Sequence, residues 1–595
     1  MFSILKEALQ MRQINSSLRK GVVAAAALLT AIGTFAFGSV GSVVDNRLAS
    51  LVEEDVNRPV HPGVVPERPG GLTKSAFWNR RSIHFMHPPA FDFTAFEGIG
   101  NYRFSVYGAD LEKHEFTASQ PSADLSPVWR ELPTGFVRVE VEAVDNNGRI
   151  MAKCGERRFW KLAKYEPGAY PEKPYSYTEC IGKWYPTLFA HTNTQHFLKY
   201  GVPDGYSDIL NVYPSKMNSA LICGMIRYSK MSSEHRNEAL AIARKAADYM
   251  LSISQGKDAP LANFPPTYWK MKEQKSDFAS QRYAGQNLLE HPALVGEAYL
   301  ELYAAVGDEK YRDAAIAIAE TYARLQLPDG TWYIKLWEKD GSPVLEGGGS
   351  APVKITPTTI CMFLESIAKV TGQTRWREIA DKALSYIDAG PLKTYDFGPQ
   401  FEDTKPSVNY RDLTSVVPMR LAIYLLKRFP DDPKRIAQAR ELSRWVEDQF
   451  ICWRKPFQAD GRGILSEPKH GFHPLWNPVI PMKGGFRRSE NWIDVPGVME
   501  KYRWSININS VVAMALRMYL ELYRVTGDEL ALAKARTLGD SIVRVQAMGP
   551  DGEIATHWDL RDVKKGVSCL KNWTNCGVLS VIHLEELAKE VEKKN

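Results

Sequence analysis

Two kinds of hydrophobic pattern divide the chain. From Ser75 to Tyr165 apolar and polar residues alternate, as in Tyr102-Arg103-Phe104-Ser105-Val106-Tyr107 and in the run from Phe136 to Asp145. A period of two places one side of each strand on a core, and Asp145-Asn146-Asn147-Gly148 supplies a turn. After Tyr170 the period changes to that of helices. Six segments are apolar nearly all round, with small residues and few charges: Met217–Tyr228, Pro292–Ala305, Thr358–Val370, Leu413–Leu426, Ser510–Tyr523 and Gly577–Leu587. Most are followed by an amphipathic, charged segment that opens at a Gly or Asp turn, such as GDEKYRDAAIAIAETYARL and GDELALAKARTLGDSIVRV. Apolar residues there recur every three or four positions.

A segment apolar on most faces is buried on most faces, and its partner has one wet face. A buried ring of six helices inside a half-exposed ring satisfies both, with Tyr175–Phe189 as the sixth outer helix. The predicted class is mainly α: an (α/α)6 toroid of helical hairpins over 170–595, with a small N-terminal antiparallel β-sandwich over 75–165.

The N-terminus bears on compartment. Lys6, Arg12, Arg19 and Lys20 stand against Glu7 alone, and no charge occurs from Gly21 to Val44. A basic start, an apolar centre and a small-residue end describe an export signal, with Ala36 and Gly38 as cleavage-site residues; an uncleaved anchor is the alternative. Residues 1–45 are thus expected to target the chain out of the cytoplasm, leaving it periplasmic, secreted or membrane-anchored. Residues 46–74, rich in Pro and Gly, read as a linker.

Half of the formal net charge of +6 comes from those first residues, so the body carries no basic signature of nucleic-acid binding. The seven Cys form no CxxC pair and no zinc spacing, and the odd count rules out complete internal pairing. His191 and His196 are five apart, not the helical metal pair at four. No metal and no cofactor is expected. A single Q-x-x-x-G-x-W match at Gln326–Trp332, without a DxDD acid motif, is a weak echo of terpene cyclases.

The hairpin pattern resembles the six-hairpin carbohydrate-active superfamily of glycosidases, unsaturated-uronide hydrolases and polysaccharide lyases, and LPTGFVRVEVEAVDNNG resembles the late strands of fibronectin-III or immunoglobulin-like sandwiches. The first resemblance is architectural and implies a carbohydrate substrate without carrying over any residue. Polar residues just before each inner helix are the candidates for chemistry, because long loops on a rigid scaffold form sites. Glycoside hydrolysis needs two carboxyl groups across one bond, and Glu290 and Asp412 start inner helices two hairpins apart. Elimination on a uronide needs a His or Tyr base and a cation or amide for the carboxylate; His291, Tyr410, Arg411 and Asn575 suit that. Asn218, Tyr283, Trp492, Trp504 and Asn507 complete the substrate-binding set. Hydrolase is the favoured reading, with lyase and non-catalytic glycan-binding protein as alternatives.

Overall fold

The computed structural model describes residues 41–59, 61, 84–91, 93–204, 213–268, 283–345, 351–397, 414–454, 496–501, 504–549, 552–558 and 573–592. The six inner helices are Pro214–Met231, His291–Val306, Thr358–Thr371, Val416–Arg428, Asn509–Thr526 and Thr574–Glu592. The outer helices are Tyr177–Ala190, Arg236–Ile253, Glu309–Leu325, Arg375–Ala389, Pro433–Phe450 and Glu529–Met548. Each inner helix packs on its outer partner, with Tyr177–Ala190 against the sixth inner helix. Each also packs on the next inner helix, and the sixth returns to the first, so the ring closes.

The hairpin turns follow from local chemistry. The second and fifth inner helices end at Gly307 and Gly527, both in the left-handed region that only glycine enters freely. The next residues, Asp308 and Asp528, cap the outer helices by accepting from Lys310 N–H, and from Leu530 and Ala531 N–H. Two residues thus end one helix and start its antiparallel partner.

Charges on the inner helices line up. Lys216 and Arg227 recur at helical spacing on the first, and Glu290, at the start of the second, is in line with Glu297 and Glu301. Pairs between these stripes stitch neighbours together: Arg227 to Glu301 (3.6 Å) and Glu585 (3.1 Å), Ser366 to Glu297 (2.7 Å), Arg428 to Glu365 (2.8 Å) and Arg524 to Glu590 (3.2 Å). Burial pushes the Glu297 carboxyl up to about 7, the Ser366 hydrogen bond pulling the other way.

The N-terminal module departs from the expectation. Among the described residues its strands form one five-stranded sheet, in the order β1 (His84–Phe85), β5 (Ile150–Lys161), β4 (Gly135–Val144), β2 (Asn101–Tyr107), β3 (Lys113–Ala118), with β1 parallel to β5 and the rest antiparallel. No second sheet faces it there. Its buried side is covered by Phe91, Phe93, Leu125, Trp129 and Leu132, from loops and the short helix Ser126–Trp129. Alternation reports that one face is buried and is silent on what covers it.

Residues 46–57, read above as linker, fall in helix Gly41–Asn57. Val52 and Val56, four apart, are buried in the toroid's core cluster together with Met86, Leu162 and Tyr165. That short amphipathic period was hidden by the Pro and Gly that follow it. Residues 51–595 form one compact unit. Residues 1–40 lie outside the described residues, so the targeting expectation is untouched; no described helix is long and apolar enough to cross a membrane.

A buried charge network ties residues 55–58 and 86–88 to the outer helices Pro433–Phe450 and Glu529–Met548. Lys534 Nζ lies 2.9 Å from Asp55 Oδ2 and 2.8 Å from Glu447 Oε2. Asp448 Oδ1 accepts from the Met86 and His87 N–H groups (2.7 and 3.0 Å) and meets His87 Nδ1 at 2.8 Å. Arg444 donates to the carbonyls of Arg58 (2.7 Å) and Pro88 (3.0 Å).

Candidate functional site

The N-terminal ends of the inner helices converge on one end of the lumen. Glu290 is the residue before the second inner helix and is 5% exposed. Arg420, one turn into the fourth, reaches across: its Nη1 donates to Glu290 Oε2 (2.8 Å) and to Thr359 Oγ1 of the third (3.0 Å). Burial pushes the Glu290 carboxyl above its ordinary range although Arg420, and then Lys216, pull the other way. A carboxyl whose pKa is raised by burial, beside a cation that can pair with its anion, has the chemistry to donate a proton.

His291, beside it, is buried, and its Nδ1 has no hydrogen-bond partner among the described residues. Burial, then Lys216 and Arg420, hold its pKa well below the ordinary value, which favours the neutral imidazole. A row of rings borders the pair: Trp573 to Tyr213 (5.5 Å between centroids), Tyr213 to Tyr268 (5.8 Å) and Tyr268 to Tyr283 (5.4 Å), with His291 edge-on to Tyr213 at 6.3 Å. Lys216 Nζ lies 4.8 Å from the Trp573 ring centre, and Lys335 Nζ 4.5 Å from that of Tyr283.

Of the residues named from sequence, Glu290, His291 and Tyr283 share this region. Asn218 is buried on the first inner helix and donates from Nδ2 back to Pro214 O (2.9 Å). Asn575 is buried in the first turn of the sixth. Trp504 and Asn507 belong to strand Trp504–Ile508, which pairs with Gly497–Lys501 and His557–Trp558 and runs directly into the fifth inner helix. Asp412, Tyr410, Arg411 and Trp492 lie outside the described residues, so the Glu290–Asp412 separation has no value here.

Arg420, Lys216, Thr359 and Lys335 were missed. The signal for Arg420 was present: it is a lone cation in the otherwise apolar run VVPMRLAIYLL.

No family model matches the sequence, and no curated protein matches it. Solved structures of carbohydrate-processing enzymes are similar to it. A family 76 glycoside hydrolase from a bovine Bacteroides thetaiotaomicron strain has 11% identity and a TM-score of 0.43, over 82% of this chain and 93% of that one. The cellobiose 2-epimerase from Spirochaeta thermophila has 12% and 0.44, over 70% and 98%. An unsaturated glucuronyl hydrolase specific for heparin has 12% and 0.42, over 70% and 98%.

Among the described residues, Asp55, His87 and Glu447 have ligand atoms spaced to hold a metal. Lys534 Nζ already sits between two of them, at 2.9 and 2.8 Å, and supplies the positive charge a cation would bring.

Proposed function

We propose that this protein is an exported enzyme that cleaves glycosidic bonds at the open end of its helical lumen, with Glu290 as the general acid. The observation that carries the reading is the buried Glu290–Arg420 pair, which spans from the second to the fourth inner helix (2.8 Å). Burial raises the pKa of the carboxyl, in the direction a general acid needs, and Arg420 stabilises the carboxylate left after the proton passes to the leaving oxygen. Trp573, half-buried at the edge of the ring row, is the aromatic on which a sugar C–H face would stack. Asp412 is the proposed second carboxylate, activating water or attacking the anomeric carbon. Export is proposed from the basic-flanked apolar run alone; unprocessed full-length protein in the cytoplasmic fraction would contradict it.

A second reading has its own observation. His291 is buried near Lys216 and Arg420, with Nδ1 unpartnered among the described residues. A neutral base next to cations that pair with a uronate carboxylate suits β-elimination, with Tyr410 as the alternative base.

One screen separates the readings: the protein without residues 1–40, on neutral and acidic oligosaccharides, followed by reducing-end release and by absorbance of an unsaturated uronide. Reducing ends without absorbance support the hydrolase. Both together support the lyase. Neither, with binding retained, overturns catalysis in favour of glycan binding.

A further inference from the structure

The second inner helix begins without a side-chain cap from its own turn, although Glu290 stands at the capping position. Pro292 brings no N–H, so the next donor that the helix leaves unsatisfied is Ala293. Its N–H donates to the phenolic oxygen of Tyr322, 3.0 Å away, on the outer helix Glu309–Leu325. The same hydroxyl donates to the carbonyl of Leu289 at 2.5 Å. One hydroxyl therefore bridges the residue before Glu290 and the residue two after His291, closing a clamp around the pair. The Leu289 N–H is held in turn by the Ile334 carbonyl (3.0 Å).

Tyr322 is itself immobilised. It is fully buried, with ring centroids of Phe264, Trp332 and Phe363 at 4.7, 6.1 and 6.1 Å, and Trp332 Nε1 donates to its carbonyl (2.8 Å). Packing of this density is far more than is needed to supply one capping oxygen, and it makes the hydroxyl a fixed reference point for the turn.

We propose that Tyr322 is the positioning residue of the site: its hydroxyl sets the angle at which Glu290 enters the lumen to meet Arg420. The proposal rests on Glu290 being the acid of the reaction proposed above. Phenylalanine at 322 keeps the packed ring and removes both hydrogen bonds, leaving the Ala293 N–H and the Leu289 carbonyl to find other partners. The turn then relaxes, and a displacement of the reacting carboxyl on the ångström scale costs about 10²-fold in rate.

The test uses the exported chain carrying Y322F, with F264L as a packing control that keeps the hydroxyl. For Y322F, kcat should fall about 10²-fold with KM within about threefold, and amide exchange across 289–296 should rise while the rest of the chain is unchanged. F264L should lose stability at least as much and kcat far less. If both variants lose activity in proportion to stability, the positioning role is overturned. Unchanged exchange at 289–296 in Y322F overturns the clamp whatever the activity, because exchange is read without substrate. A wild-type chain inactive on every glycan would instead overturn the reaction assigned to Glu290 while leaving the exchange result to judge the clamp.

Discussion

Arg420 Nη1 lies 2.8 Å from Glu290 Oε2, although the two residues stand on inner helices separated by a third. The contact bridges the lumen rather than a helix–helix seam, and it opposes the burial that raises the Glu290 pKa. Replacing Arg420 by Gln removes the charge that favours the carboxylate. An acid works below its pKa and fails as pH rises through it, so the basic limb of the rate profile should move upward, by about 1–3 units for a counter-charge at this range. A pH–rate profile of R420Q with an unmoved or lowered basic limb would refute the coupling.

The network around Lys534 predicts a stability effect. K534M leaves Asp55 and Glu447 facing each other without their cation, which should cost about 3–5 kcal/mol in denaturant unfolding. A loss below about 1 kcal/mol, the scale of an exposed pair, would show that the network is solvated.

The same network sets a pH window. Burial raises the Asp55 pKa, but Lys534 and His87 outweigh it and hold the carboxyl well below 3.8; its contribution is present above the unfolded carboxylate pKa and is lost as pH falls through the lower folded value. For His87 burial opposes protonation, but Asp448 and Asp55 outweigh it and raise the pKa above 6.5. That contribution is complete below the unfolded value and is lost as pH rises through the folded one. Unfolding at several pH values should show the stability lost in H87N to be largest at mildly acidic pH and to shrink as pH rises through the folded value. A loss that is constant from acid to alkaline pH would contradict a charged His87.

Ring closure has a single-residue test. A Cβ on Gly577 of the sixth inner helix would run into the Trp184 ring of helix Tyr177–Ala190. G577A should cost about 1–3 kcal/mol by overpacking, despite alanine's better helix propensity. A stabilised G577A would mean that these helices are not in the contact described.

The six inner helices were legible because burial on nearly all faces leaves a signature that loops cannot imitate: Thr358–Val370 from the pattern is Thr358–Thr371 in the structure. The site was legible at Glu290, His291 and Tyr283. Lone charges such as Arg420 look like interruptions of an apolar run until the ring closes and turns them towards a common axis. What covers the sheet, and whether 46–57 pack, depends on partners far along the chain. His87 and Asp448, 361 positions apart, have no local pattern to announce them. Asp412 and Tyr410 remain proposals, since they lie outside the described residues.

The central claim is that Glu290 supplies a proton to a glycosidic bond. The most direct measurement is turnover and oligosaccharide affinity of E290Q beside the wild type, on whichever glycan the wild type cleaves. The amide keeps the shape and can still accept from Arg420, so affinity should stay within about threefold while kcat falls by about 10²–10⁴. E290Q turnover equal to wild type would mean that Glu290 is not the proton donor.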